Sequence, residues 1–191
     1  MNAVHTGVTW LALALFGAFP QFSLTDTAGR IHQTADWNNV KAVVIFFTTV
    51  DCPLSNGYIP EMNRISRDYG SRGIAFYAVQ TDTTIPEAEV VQHTKEFGFE
   101  FPVLLDPKQI LVKHTGAIVT PEVAVLSKSG EVSYLGRIDN RIVDFDQRRP
   151  AATAFDLKDA LEAVLSGRKP AEPRTTAVGC GINFVRDEGN R

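Results

Sequence analysis

Two cysteines are the residues of this chain whose type and setting best suit covalent chemistry, and they stand far apart. Cys52 lies in FTTVDCPLSNGYIPEM, residues 46–61, where a run of aromatic and β-branched residues meets a Cys-Pro pair and then a helical pattern. A cysteine at a strand-to-helix junction sits among backbone N–H groups that the helix leaves unpaired, at the positive end of its dipole. That setting favours thiolate over thiol. Pro53 fits the first helical position, where its missing N–H is not needed. The polar neighbours Asp51, Ser55 and Asn56 point to a partly exposed, reactive thiol rather than a small buried hydrophobe. Ser55 stands where a second cysteine would release a mixed disulfide. A hydroxyl cannot do that, but it can donate a hydrogen bond to the thiolate across one helical turn.

Cys180 sits in TTAVGCGINF, beyond a polar, Pro-containing connector, RKPAEPRT (168–175). The flanking glycines allow tight backbone turns, and Ile182, Phe184 and Val185 offer apolar surface to dock on a domain. Three readings stay open: Cys180 resolves Cys52 reversibly, the pair is a static staple, or Cys180 is an unrelated thiol in a loose tail. A disulfide closing this loop would stabilise by about 4–5 kcal/mol in the chain-entropy model, before any strain.

The elements that must position these residues alternate along the chain. FSLTDTAGRIHQT (22–34) reads as a hairpin. Val40 to Thr48 is an almost continuous run of β-formers, the signature of a strand covered on both faces. Ile59, Met62, Ile65 and Tyr69 recur at helical spacing in a helix starting at or near Cys52 and ending near Gly70. Gly73 to Val79 is a second buried strand, and Pro86 to Gly98 a helix with Pro in its first turn. FPVLLD and PKQILVKHTG supply a short strand or turn, with Asp106 as a cap, and a short helix. PEVAVLSKSGEVSYLGRID forms a hairpin around Lys128-Ser129-Gly130, and Asp156 to Ser166 a last amphipathic helix. The pattern predicts an α/β protein with a mixed central sheet, helices on both faces and an N-terminal β-hairpin extension.

Composition bounds the rest. The 191 residues, 44% hydrophobic and 21% charged, suffice for one sizeable core, expected over 19–167, with a tail over 168–191 that carries Cys180. The net charge of −3 and the absence of a basic run beyond Arg148-Arg149 weigh against nucleic acid as a partner. Val8 to Phe19 is apolar enough for the core of an export signal but too short to span a bilayer, so residues 1–18 are expected to be a signal or an apolar N-terminal segment. The expected setting is periplasmic or otherwise extracytoplasmic, with no stable membrane span. His5, His32, His93 and His114 each stand alone, and no metal or cofactor is expected.

The stretches VVIFFTTVDCPLSNGYIPEMNRI, GAIVTPEVAVLSKSGEVSYLGRIDNR and TAVGCGI together resemble the peroxiredoxin-like, redoxin-domain (AhpC/TSA-like) branch of the thioredoxin superfamily, over about residues 19–184. The resemblance implies a thioredoxin-like fold in which Thr120-Pro121 faces the active cysteine, with Pro121 cis. It also implies a Thr120 backbone exposed to a substrate segment that pairs with it as an added strand. Thiol-disulfide exchange with a protein or small-molecule thiol is the expected activity. Cys52 is its nucleophile, Ser55 a stabiliser, Cys180 a candidate resolver, and Thr120, Pro121 and Pro53 the substrate platform. The peroxidase pattern PxxxTxxC is met only in part: Thr49 lies three residues before Cys52, but Ile45 stands where Pro belongs. Copper handling on this fold uses a CxxxC pair and a distant His, and the second motif cysteine is missing here; a noncatalytic binding or copper module is the alternative reading. Thr49 and Glu122, the carboxylate beside Pro121, are candidate modulators of the thiol.

Overall fold

The computed structural model describes residues 21–186; the apolar segment expected to act as an export signal lies outside them. In chain order the elements are β1 (Ser23–Thr25), β2 (Ile31–Gln33), a 3-10 helix (Thr34–Asn39), β3 (Ala42–Thr48), α1 (Pro53–Gly70), β4 (Ile74–Gln80), α2 (Glu87–Glu96) and β5 (Val103–Leu105). There follow α3 (Ile110–Thr115), β6 (Val119–Thr120), β7 (Glu122–Ser127), β8 (Val132–Gly136), α4 (Asp156–Leu165) and β9 (Cys180–Gly181). Five strands form the central sheet in the order β5-β4-β3-β7-β8. The β3–β4 and β4–β5 pairs are parallel, and β3–β7 and β7–β8 antiparallel. The expected α/β architecture with its N-terminal hairpin, β1 against β2, is what the chain adopts.

Strand β3 explains why the sheet is covered twice. All seven of its residues are buried, and because side chains alternate across a strand, they divide between two cores. Ala42, Val44 and Phe46 pack with Tyr58, Ile59, Met62 and Ile65 of α1 and Leu157 and Leu161 of α4. Val43, Ile45 and Phe47 face the other way, toward Phe22, Leu24, Trp37, Leu111 and Ile182. Trp37 comes from the 3-10 helix, an element the sequence pattern does not announce.

The C-terminal segment is where the sequence left alternatives open. Rather than hanging as a loose tail, it runs back over the domain and is fastened in two places. Upstream, the Leu135 N–H donates to the Pro173 carbonyl (3.0 Å), and the Thr175 N–H to the Leu135 carbonyl (3.2 Å). The backbone of Thr175 passes so close to Gly136 that a Cβ there would lie 2.5 Å from its carbonyl oxygen. Downstream, β9 pairs antiparallel with β6, matching Thr120 with Cys180 and Val119 with Gly181, and the Ile182 N–H donates to the Ile118 carbonyl (2.9 Å). Ile182 completes the second core.

Candidate active site

Strand β3 ends at Thr48, and a tight turn in which the Cys52 N–H donates to the Thr49 carbonyl (3.3 Å) brings the chain to the start of α1. Cys52 is the N-cap, with extended backbone, and Pro53 occupies the first helical position as expected. Asn56 braces this turn. Its Nδ2 donates to the Val50 carbonyl (2.9 Å), which leaves Oδ1 to accept from His93 Nε2 at 2.9 Å. The His93 proton therefore sits on Nε2. Burial holds His93 below its usual pKa, against the opposing charges of Glu96 and Asp51, so the ring is a neutral donor at neutral pH.

The Cys52 thiol is entirely shielded from solvent, which corrects the expectation of a partly exposed sulfur. Its polar neighbours do not open it to water, because Ser55 is itself buried, Asn56 is spent on the turn, and the returning C-terminal strand lies over the site. The Cys52 S–H donates to the Thr120 carbonyl at 3.0 Å. The Ser55 contribution also differs from expectation: its backbone N–H reaches the sulfur, at 3.5 Å, while its hydroxyl is buried with no hydrogen-bond partner among the described residues. The helix start itself, rather than the side chain at position 55, supplies that donor.

Cys180, half-buried, faces Cys52 across the β6–β9 pairing. Both are free thiols, and both meet Thr120, which accepts from Cys52 through its carbonyl and pairs with Cys180 along the strand. Burial by itself would raise the Cys52 pKa. Donation from the Cys180 thiol, the Ser55 N–H and the Thr120 side chain outweighs it and holds Cys52 below the ordinary thiol range. The same contact acts oppositely on its partner: burial and the hydrogen bond to Cys52 push Cys180 up to about 12. Of the two thiols, Cys52 is therefore the first to lose its proton and Cys180 the second. The Thr120 hydroxyl is buried with no hydrogen-bond partner among the described residues, which leaves it free to donate to a Cys52 thiolate.

The remaining candidates fall as follows. The Thr120–Pro121 peptide is cis, and Pro121 is buried. The Thr120 backbone is not open to an added strand, as the resemblance implied, because Cys180 already pairs with it. The Thr49 hydroxyl is buried and unpartnered among the described residues. Glu122 accepts from the Ile118 N–H (2.8 Å), so it holds the β6 segment in place rather than moving the thiol proton. Arg137 makes a paired salt bridge to Asp156 at 2.8 and 3.0 Å and belongs to the start of α4. Among the described residues, no group of three or more His, Cys, Asp or Glu side chains is arranged to hold a metal ion, and no helix is long and apolar enough to cross a membrane.

Two positions that sequence reasoning missed complete the site. Gln109, fully buried, clamps the C-terminal strand with its amide: Nε2 donates to the Asn183 carbonyl (2.7 Å) and the Thr81 carbonyl (2.8 Å), and Oε1 accepts from the Val185 N–H (2.8 Å). It is held at φ 52, in the left-handed region that a non-glycine residue rarely adopts, a conformation no local pattern announces. Gly179 lies against Thr120, where a Cβ would stand 2.2 Å from its carbonyl oxygen. The signal for Gly179 was legible in principle, since glycines flanking a cysteine often mark close backbone approach.

A mixed sheet with this strand order, helices on both faces and a cysteine capping the first long helix defines a thioredoxin-like protein. Within that class, the redoxin family model matches residues 17–148, and the chain belongs to the redoxin family. Thiol-disulfide oxidoreductase ResA of Geobacillus thermodenitrificans is 27% identical over 124 residues, covering 65% of this chain and 70% of that protein. Among solved structures, an uncharacterized conserved protein of Geobacillus kaustophilus is similar with a TM-score of 0.75 and 26% identity, over 89% of this chain and 92% of that one. The hypothetical protein SMc02350 of Sinorhizobium meliloti shares the fold over 97% of this chain and 98% of its own, with a TM-score of 0.73 and 24% identity.

Proposed function

We propose that this chain is a thiol-disulfide oxidoreductase whose working pair is Cys52 and Cys180. The observation that carries the reading is that both cysteines converge on Thr120: its carbonyl accepts the Cys52 S–H at 3.0 Å, and its backbone pairs with Cys180. In the reduced pair, Cys52 is the thiol that gives up its proton more readily, with the Ser55 N–H and the Thr120 hydroxyl placed to support the thiolate, and Cys180 keeps its proton to higher pH. Exchange with an external disulfide converts the pair to a Cys52–Cys180 disulfide and releases two thiols, so that two electrons leave the protein and two sulfurs outside it are reduced. Glu122 and Pro121 hold the β6 segment that presents Thr120, and Pro53 flanks the site from the helix start. The name of the ResA relative supports the reaction class. An extracytoplasmic setting, with the apolar 8–19 segment as an export signal, suits a pair that must form a disulfide.

Non-reducing peptide mapping tests the reading. After incubation with oxidised glutathione, the peptides carrying Cys52 and Cys180 are expected to migrate as one linked species that mild dithiothreitol separates, and Cys52→Ser is expected to abolish turnover of a disulfide substrate. Two free thiols after that treatment would refute it.

A further inference from the structure

The two sulfurs of the proposed pair are not equally open, and the asymmetry runs against the order expected from the sequence. Cys52 has no exposed surface, whereas Cys180 is half-buried on a strand whose other residue, Gly181, is exposed. The strand is fixed on both sides of the cysteine, at Pro173–Thr175 on β8 and at Ile182–Val185 by Ile118 and Gln109, so it does not simply lift away from Cys52. It also fills the backbone edge of Thr120. An incoming thiolate must approach a disulfide sulfur from the side opposite the bond that breaks. Cys52 offers no surface for that approach, with the Ser55 N–H and the Thr120 carbonyl against its sulfur and both of those residues buried, whereas Cys180 retains some exposure.

Building on the oxidoreductase reading above, we propose that external sulfur is exchanged at Cys180, so that the mixed disulfide is carried by the C-terminal strand and Cys52 is the buried sulfur that opens and closes the pair. The substrate this geometry admits is a compact thiol that reaches Cys180 without pairing to Thr120 as an extended strand. In the step, a substrate thiolate RS⁻ attacks Cys180 Sγ of the Cys52–Cys180 disulfide, the R–S–S–Cys180 bond forms, and Cys52 leaves as a thiolate. A second substrate thiolate then attacks the substrate sulfur, releasing RSSR and leaving Cys180 to take up a proton. Two thiols are oxidised, the pair is reduced by two electrons, and an external disulfide restores it by the reverse sequence. Cys52 is built for the leaving role, since the Ser55 N–H and the Thr120 hydroxyl stand ready for its charge, and the thiol of lower pKa leaves faster.

The test uses the oxidised wild-type protein with reduced glutathione as the probe thiol. Acid quenching at early times, alkylation of free thiols and peptide mapping locate the glutathione. The expected result is glutathione on the Cys180 peptide and an alkylated Cys52, in excess over the opposite arrangement by at least about tenfold. Glutathione on Cys52 with Cys180 alkylated, or an even distribution, would overturn the proposal while leaving the oxidoreductase reading intact. Failure of the starting protein to form any Cys52–Cys180 disulfide would overturn both.

Discussion

Replacing Gly179 with Ala tests whether strand pairing is what delivers Cys180 to Cys52. A Cβ at this position would stand 2.2 Å from the Thr120 carbonyl oxygen, 2.6 Å from its carbon and 3.1 Å from the Pro121 nitrogen. All three are backbone atoms, and the Thr120 carbonyl also accepts the Cys52 thiol, so the obstacle cannot swing aside as a flexible side chain would. To restore ordinary contact, β9 must retreat by about 1 Å, taking Cys180 with it. Overpacking of this kind costs about 1–3 kcal/mol. At about 1.4 kcal/mol per tenfold, the equilibrium constant for closing the Cys52–Cys180 disulfide against a glutathione buffer should fall by roughly 5-fold to 150-fold. The oxidised fraction is read by alkylation and mass shift across a series of glutathione ratios. Gly181→Ala is the matched control: it lies two residues on in the same strand, its Cβ would meet nothing within 4 Å, and it is expected to titrate as wild type. If Gly179→Ala and Gly181→Ala behave alike, the β6–β9 pairing does not set the distance between the sulfurs.

Titration of the reduced protein, followed by the ultraviolet absorbance of the thiolate, should show two separated steps: one below the free-thiol value of 9.0 for Cys52 and one near 12 for Cys180. In Cys52→Ser the upper step should fall, while burial keeps it above the ordinary thiol value. The sign for stability follows. Cys52, depressed in the fold, adds stability above its unfolded value and loses it as pH falls through its folded value, whereas Cys180, raised in the fold, removes stability as pH rises from 9.0 toward 12. Urea midpoints of the reduced protein should therefore gain a Cys52-dependent increment between neutral pH and pH 9, absent in Cys52→Ala. Gln109→Ala deletes the amide that ties down Asn183 and Val185; at about 1 kcal/mol per hydrogen bond, exchange of the Val185 amide should accelerate about 5-fold to 30-fold, while amides of β3 keep their protection. Unchanged exchange at Val185 would show that the clamp contributes nothing to docking.

The parts of this fold that are legible in the sequence are those whose pattern is local. Val40 to Thr48 could be read as a doubly covered strand because its run of β-formers is almost unbroken, and Ile59, Met62 and Ile65 as a helix face because they repeat at its period. Cys52-Pro53 marks the helix start for the same reason. Strand β9 has only two residues, and nothing in Cys180-Gly181 favours a strand until Val119 and Thr120 are brought beside it. Burial of Cys52 follows from that distant pairing, so its polar neighbours pointed the wrong way. Asp139 is a similar case. In the sequence it stands near Arg141, Asp144 and Asp146, a mixed-charge stretch of the kind that is usually solvated, yet it is buried, taking a 2.5 Å hydrogen bond from the Tyr58 hydroxyl, 81 positions away, and a 2.8 Å one from the Arg141 N–H.

Placing the second sulfur on a returning strand, rather than one helical turn from the first, ties redox state to docking. In a motif with both cysteines on α1, opening the disulfide would leave the backbone where it was. In the proposed pair the bond would join α1 to β9, so the disulfide would hold the strand against Thr120, and the docked strand would favour the disulfide. By linkage, the two effects are equal in free energy: whatever factor docking adds to closure of the bond, closure adds to docking. A substitution that weakens docking without touching either sulfur, such as Gln109→Ala, is therefore expected to make the pair more oxidising to the extent that it frees the reduced strand, by at most the factor by which reduction loosens the strand. Both factors are measurable on one protein, the first against a glutathione buffer and the second as the ratio of Val185 amide exchange rates in the reduced and oxidised forms. Agreement between them would establish that the Ser at position 55 marks a redox centre whose second half is conformational; a change in potential without a change in exchange would break the link.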